Sequence, residues 1–327
     1  MQFKSSLSAM LSSLILIGAA SAAPAQEYPA RTITLIVPFA AGGPTDVVAR
    51  IISAHMSKTL GRQIVIENIV GGGGTTATIR AMRAAPDGYT IEMGHMGTHA
   101  AAVAVYPNLA YDPVSDFEPI GLCSGTPILI LARSDFPSND LRQFVAYVKA
   151  HADDINMAHA GIGSVSFTAG LLFNSIIGIK PTSVTYNGTG PALNALVAGQ
   201  VDYMFDQISN VVLEADRNTI KVYAVASSVR NSVLPNVPTA REAGLPQFEM
   251  SAWNALFAPK GTAKPILDKL TDALDKALSD ETTRMQLLRL GNDIPDGPRR
   301  GQQALGSLVK NDIEHWTPII RAAGLVK

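Results

Sequence analysis

The stretch Val37-Pro-Phe-Ala-Ala-Gly-Gly-Pro-Thr-Asp-Val-Val-Ala-Arg50 decides how the chain is read. It begins where the apolar run Thr32-Ile-Thr-Leu-Ile-Val37 stops at a proline. A loop of small residues follows, then a helical pattern from Val47 to Leu60 that ends at Gly61. Strand, glycine-rich loop and helix start together open a β-α-β unit. Small residues let backbone come close to a ligand. The first N–H groups of a helix lack internal acceptors, and the helix dipole adds partial positive charge there. A junction of this kind suits an anion.

The same design recurs outward along the chain. Ile64-Val-Ile66 reads as a strand, Gly71–Gly74 as a turn before a helix over Thr75 to Ala85, and Tyr89-Thr-Ile-Glu-Met93 as a strand. Gly94-His-Met-Gly-Thr98 then precedes a helical run from Ala100 to Tyr106. In the middle, Ile128-Leu-Ile-Leu131 reads as a strand and Leu141 to Ala150 as a helix capped by Asp140. Asn156-Met-Ala158 leads through Gly161-Ile-Gly-Ser164 into a helix to Ile177. Val184-Thr-Tyr186 leads through Asn187-Gly-Thr-Gly190 into a helix to Ala198, followed by Gly199. Val201 to Phe205, Val222 to Ala226 and Ala252 to Phe257 read as further strands. After Pro259-Lys-Gly261 the chain is almost wholly helical, with Ile266 to Leu278 and Glu281 to Leu290 the clearest segments. The alternation predicts an α/β fold with a largely parallel sheet, in which ligands sit beyond the carboxyl ends of the strands.

Competing chemistries lack their residues. Neither Ala40-Ala-Gly-Gly-Pro-Thr45 nor Gly71–Gly74 is followed by the Lys-Ser/Thr of a phosphate loop, and neither forms G-x-G-x-x-G. His95 and His99 have no clustered Cys or carboxylate to complete a metal set, so no metal and no cofactor are expected. Ser164 is not in a G-x-S-x-G elbow and has no assignable His/Asp partner, so no catalytic residue is assigned. Asp46 falls in a first helical turn, where it supports the helix or touches the ligand. Asp206 follows an apolar run and either faces the cleft or caps the next turn.

The N-terminus carries one charge, Lys4, before a short apolar run and the small-residue sites Ala20-Ser-Ala22 and Ala23-Pro-Ala25. That is the pattern of a secretory signal peptide, 1–25, cleaved near Ala25 with Ala22 as second choice. The run is shorter than the roughly 20 residues of a membrane span. The mature chain has 327 − 25 = 302 residues, which suggests two lobes. The formal charge of −1 becomes −2 without Lys4, so nucleic-acid binding has no electrostatic support. Cys123 is the sole cysteine, expected to be a buried small hydrophobe.

An ordered series of motifs spans the mature chain: Tyr28-Pro-Ala-Arg31, Val37-Pro-Phe-Ala-Ala-Gly-Gly43 with Asp46, Pro86-Asp-Gly-Tyr-Thr90, Tyr111-Asp-Pro113 with Asp116-Phe117, Gly188-Thr-Gly-Pro-Ala192, Gly199-Gln-Val-Asp202, Leu234-Pro-Asn-Val-Pro-Thr239, Glu242-Ala-Gly-Leu-Pro246 and Ala258-Pro-Lys-Gly261. The set resembles the Bug-type solute-binding receptors of tripartite tricarboxylate transporters. The resemblance implies a two-lobed periplasmic-binding-protein fold of type II, with two crossover segments and a ligand cleft between lobes. It implies lobe one from 26–126 and 250–327, lobe two from 127–249, and a periplasmic monomer. Its partners would be a small organic carboxylate, dicarboxylate or aromatic, and the subunits of a membrane permease. Carried onto this chain, the ligand-binding positions are Phe39, Ala40, Gly42, Gly43, Thr45, Thr98, Ser164, Asn187, Gly188 and Asp206. Ile162, Phe167, Asn187 and the His-rich stretch from Gly94 depart from the family pattern, and the first two either suit a longer or aromatic ligand or simply pack in the lobe. A carboxylate-sensing receptor is the alternative, and a secreted hydrolase using Ser164 or the His95/His99 pair a further one.

Overall fold

The computed structural model describes residues 27–323, so the expected signal peptide and its cleavage near Ala25 lie outside the described residues. Strand β1 (Ile33–Val37) is apolar at nearly every position, as a strand covered on both faces must be. Helix α1 (Pro44–Leu60) follows, with Pro44 in its first turn and Gly61 closing it in the left-handed conformation. Strand β2 (Ile64–Asn68) pairs parallel with β1. Helix α2 (Thr75–Met82) leads to β3 (Thr90–His95), parallel to β1 on its other side. The strand thus extends two residues beyond the expected Met93. A π-helical turn, Gly97–Ala101, then runs directly into the short α3 (Ala102–Val105).

Strand β4 spans Phe117–Arg133, 17 residues, far longer than the expected Ile128–Leu131. Pro119, Gly121, Gly125 and Pro127 break its hydrophobic pattern, which hid the first two-thirds from periodicity. The sheet absorbs them through register shifts at Pro119/Gly121 and Leu122/Ser124. Next come α4 (Leu141–Ala150), capped by Asp140, then β5 (Asn156–His159), α5 (Val165–Ile177), β6 (Thr182–Thr185), α6 (Thr189–Val197) and β7 (Tyr203–Gln207). Helix α7 (Ile208–Asp216) was not legible: it is nine residues long and starts without a side-chain cap. Strands β8 (Ile220–Val225) and β9 (Ser251–Pro259) complete the sheet, and α8 (Lys264–Ser279), α9 (Glu281–Arg289) and α10 (Gln302–Ala322) close the chain.

The strand order is β2-β1-β3-β9-β4-β7-β5-β6, with β8 also on β4. The expected parallel pairing holds within β2-β1-β3 and within β7-β5-β6. The two wings meet through antiparallel strands instead: β9 pairs antiparallel with β3 and β4, and β4 antiparallel with β7 and β8. Along β4, residues up to Pro127 pair with β9, and from Ile128 onward they pair with β7. The chain therefore passes from one wing to the other along a single strand and returns into β9.

Each wing has its own apolar packing. Leu267, Leu270, Leu274 and Leu278 make one stripe of α8 and meet Val48, Ile52 and Met56 of α1 under the first wing. Leu129, Leu131, Leu193, Leu196, Met204 and Val211 fill one face of the second. A third cluster runs across both, from Phe117, Trp253 and Phe257 to Phe144, Phe173 and Phe205. Cys123 lies in the first-wing core, fully buried, and burial pushes its thiol up and out of reach of ionisation.

Candidate functional site

The loop after β1 is held rigid from below. Asp46, buried in the first turn of α1, accepts from the Gly42 N–H (2.9 Å), the Asn68 amide (3.0 Å) and the Arg50 guanidinium (2.8 and 3.0 Å). Asn68 also donates to the Phe39 carbonyl at 2.9 Å. Burial works against ionisation of Asp46, but Arg50, Gly42 and Asn68 together hold its carboxyl below the usual range. Its role is therefore to brace the loop.

Opposite, the segment from His159 to Ser166 is braced in the same way. Ser164 caps α5 by accepting from the Phe167 N–H at 3.3 Å, and lies 3.1 Å from the Ser166 hydroxyl. Ser166 accepts from the Ala160 N–H at 2.9 Å, and the Gly161 N–H donates to His159 Nδ1 at 3.0 Å. Both serine hydroxyls are engaged with helix and loop, with no His among their partners.

Between these loops lies a narrow, largely enclosed cavity. Phe39, Gly43, Thr45 and His95 line it from the first wing, and Ser164, Ser166, Thr189, Asp206 and Gln207 from the second. Three helix N-termini converge there, those of α1, α5 and α6, each presenting first-turn N–H groups and partial positive charge. Among the described residues, no Lys or Arg lines the cavity. An anion held here is balanced by dipoles and hydroxyls, not by a fixed cation. A larger hollow of about 710 Å³ beside α8 is the weaker site for an anion: Asp268, Asp272 and Asp275 line it, and its Arg300 is tied to Asp275.

Asp206 is the penultimate residue of β7 and is almost fully enclosed. It combines both roles expected of it: it faces the cavity, and it accepts from the Gln207 N–H (2.7 Å) and the Asn210 amide. Burial pushes its carboxyl up to about 7, against the opposing hydrogen bonds from Asn210, Thr189 and Gln207.

The expected residues thus fall in four places. Phe39, Gly43, Thr45, Ser164 and Asp206 are brought together around the cavity. Ala40, Asn187 and Gly188 form a seam between the wings, where the Ala40 N–H donates to the Asn187 carbonyl at 3.0 Å. Gly42 serves the Asp46 brace through its N–H. Thr98 lies wholly buried behind the cavity, its N–H donating to His95 Nδ1 at 3.1 Å and its hydroxyl 2.9 Å from His99 Nδ1. Ile162, half exposed, and Phe167, packed edge-on against His159, do not line the cavity, so neither argues for a longer or aromatic ligand. No group of three His, Cys, Asp or Glu side chains able to hold a metal occurs among the described residues.

Ser166, Thr189, Gln207 and His95 line the cavity without having been expected there. Ser166 and Thr189 sit in the first turns of two helices whose loops were recognised, so carrying the helix-terminus argument one turn further finds them. His95 lies in the Gly94–Thr98 junction that shares the anion-loop design, but its side chain had been weighed as a metal ligand or part of a hydrolase.

The seam continues along the cavity mouth. The Tyr106 hydroxyl lies 2.8 Å from the Gly72 carbonyl and 2.6 Å from that of Ile162, spanning the two wings. Gly73 abuts the Ile162 backbone, and Gly43 packs beside Gly190. The wings are closed on each other, backbone against backbone.

The family model described as "TctC: Tripartite tricarboxylate transporter family receptor" matches residues 48–325. MatC (Rpa3494) from Rhodopseudomonas palustris, solved with bound malate, is 51% identical, with a TM-score of 0.88 over 90% of this chain and 100% of its own. The periplasmic binding protein BugD is 40% identical, with a TM-score of 0.88 over 91% of this chain and 99% of its own. Rpa4515 from R. palustris, solved with adipate, is 29% identical, with a TM-score of 0.87 over 91% and 99%. The two wings are the lobes of a periplasmic-binding-protein fold, and the chain belongs to the TctC family of tripartite tricarboxylate transporter receptors.

Proposed function

We propose that the protein is an extracytoplasmic receptor that captures a small dicarboxylate in the cavity between its lobes and delivers it to a tripartite-tricarboxylate-type permease. The observation that carries this is the convergence of three helix N-termini and several hydroxyls on one cavity that no Lys or Arg lines among the described residues. Charge-assisted hydrogen bonds to such donors contribute about 1.5–3 kcal/mol each. The narrow space favours a slender aliphatic acid of the size of the malate bound by MatC over an aromatic ring. The ligand-binding set is Phe39, Gly43, Thr45, Ser164, Ser166, Thr189 and Asp206, with Ala40, Asn187 and Gly188 closing the mouth.

The lobes in this reading are 26–126 with 250–327, and 127–249, and the receptor acts as a monomer. The signal peptide is removed near Ala25 and the mature protein works in the periplasm. Among the described residues no helix is long and apolar enough to cross a membrane. No covalent step is asked of any residue.

The test is calorimetry and thermal melting of the mature protein with L-malate, succinate, adipate, benzoate and glucose. Saturation at 100 times Kd adds about 2.7 kcal/mol to stability. A dicarboxylate should therefore raise the melting temperature by several degrees while glucose leaves it unchanged. Stabilisation by glucose and none by any acid would sink the reading.

A further inference from the structure

We propose that His95 is a ligand-binding residue of the carboxylate site, donating from its Nε2–H to a ligand oxygen, with Thr98 fixing the tautomer that makes it a donor. The inference rests on the carboxylate-receptor reading above and adds to it a residue and a protonation state.

His95 lies at the end of β3 and lines the cavity while only 1% exposed. Phe39 stacks on it with ring centroids 4.9 Å apart and planes within 7° of parallel. On the Nδ1 edge, Gly97 packs so closely that a Cβ there would meet Cε1 at 2.4 Å and Nδ1 at 2.9 Å. The ring is therefore held in one orientation. The Thr98 N–H donates to Nδ1 at 3.1 Å, so Nδ1 is an acceptor and the proton of the neutral ring sits on Nε2. Nε2 is buried and has no partner in the protein. A buried donor left unpaired costs about 1–3 kcal/mol, and such groups collect at functional sites. The cavity that His95 lines supplies the missing acceptor once a carboxylate occupies it.

The ring works as a neutral dipole. Burial drives its pKa down to about 4, and its neighbours sustain that state: His99 behind Thr98 is likewise buried and neutral, and burial pushes Glu92 up to about 8. Across the cavity the facing titratable group is Asp206, and no Lys or Arg lines the space among the described residues. His95 thus offers the first lobe a side-chain N–H donor where the second lobe offers Ser164, Ser166 and Thr189.

The experiment compares wild type, H95F and H95Q in calorimetric titrations with L-malate, succinate and adipate. H95F keeps a flat ring beside Phe39 and removes the donor. The acid that binds wild type best should bind H95F about 10- to 100-fold more weakly, while H95Q recovers part of the loss. Binding to H95F within twofold of wild type would overturn the proposal. A wild type that binds none of the three acids overturns both this assignment and the receptor reading; a wild type that binds with H95F unimpaired overturns only this one. If H95F does not fold, nitrogen-detected NMR of wild type decides. Nδ1 should be unprotonated from pH 5.5 to 8, and the Nε2–H resonance should move downfield on ligand addition. A protonated Nδ1, or an unmoved Nε2–H, would overturn it.

Discussion

Asp206 illustrates what a single side chain contributes and how pH acts on it. Its carboxyl sits in the same cavity as His95, near Thr189 and Asn210, and burial lifts it to about 7. A ligand carboxylate seated beside it raises it further, because two like charges in one enclosure disfavour ionisation. Binding should therefore take up a proton near neutral pH, with Asp206 donating to the ligand. Affinity for the dicarboxylate the protein binds is expected to fall as pH rises from about 6.5 to 8.5, approaching tenfold per unit above the carboxyl's own pKa. D206N, a permanent donor, should flatten that profile. Titration in two buffers of different ionisation enthalpy measures the proton directly, and a wild-type profile as flat as that of D206N would exclude the coupling. The stability effect has the same sign. A folded-state pKa raised above the unfolded one contributes stability that is present at low pH and lost as pH rises through about 7. The D206N protein should accordingly melt higher than wild type at pH 8.5.

At the scale of elements, the turn Gly72–Gly74 before α2 turns out to be part of the closure surface. Gly73 has φ +62°, and a Cβ there would lie 1.8 Å from the Ile162 carbonyl oxygen in the other lobe. The four-glycine run read simply as a turn, because nothing local says what packs on its far side. G73A should oppose closure by a steric clash in addition to about 1–2 kcal/mol of left-handed backbone strain. Ligand affinity is expected to drop at least about tenfold, since only the closed state touches the ligand from both lobes. Small-angle scattering with malate should report a larger radius for G73A than for wild type. Equal radii and equal Kd would show that Gly73 tolerates the side chain. The loop after β1 shows the opposite case. Its Gly-Gly-Pro-Thr-Asp sequence already specifies turn, helix start and first-turn carboxylate, and Asp46 then braces it through Gly42, Arg50 and Asn68.

At the scale of the whole molecule, the two lobes join through β4 and β9, so on the receptor reading capture and release are expected to be one motion about those strands. The seam offers a way to stop it. A Cβ built on Gly188 lies 3.5 Å from that of Ala40, within disulfide range. The native thiol, Cys123, is buried and will not compete. The double variant A40C/G188C, oxidised after loading with malate, should retain ligand through dialysis. Oxidised without ligand, it should bind none until reduced. Free exchange of ligand in the oxidised protein would mean that the seam does not gate the site.

The elements that could be read from sequence are those whose information is local. Continuous apolar runs, the Pro44 start and Gly61 stop of α1, the Asp140 and Ser164 caps and the small-residue loops each state their conformation within a few residues. Together with the ordered motifs along the chain, they were enough for the fold class and for five of the residues that line the cavity. Tertiary structure alone decided which of those loops face one cavity and which form the seam. It also decided that β4 runs unbroken through its prolines and glycines, and that His95 turns an unpaired N–H toward the site. The physical reason is that burial, charge state and shared space depend on residues from both lobes, and no window of sequence contains both.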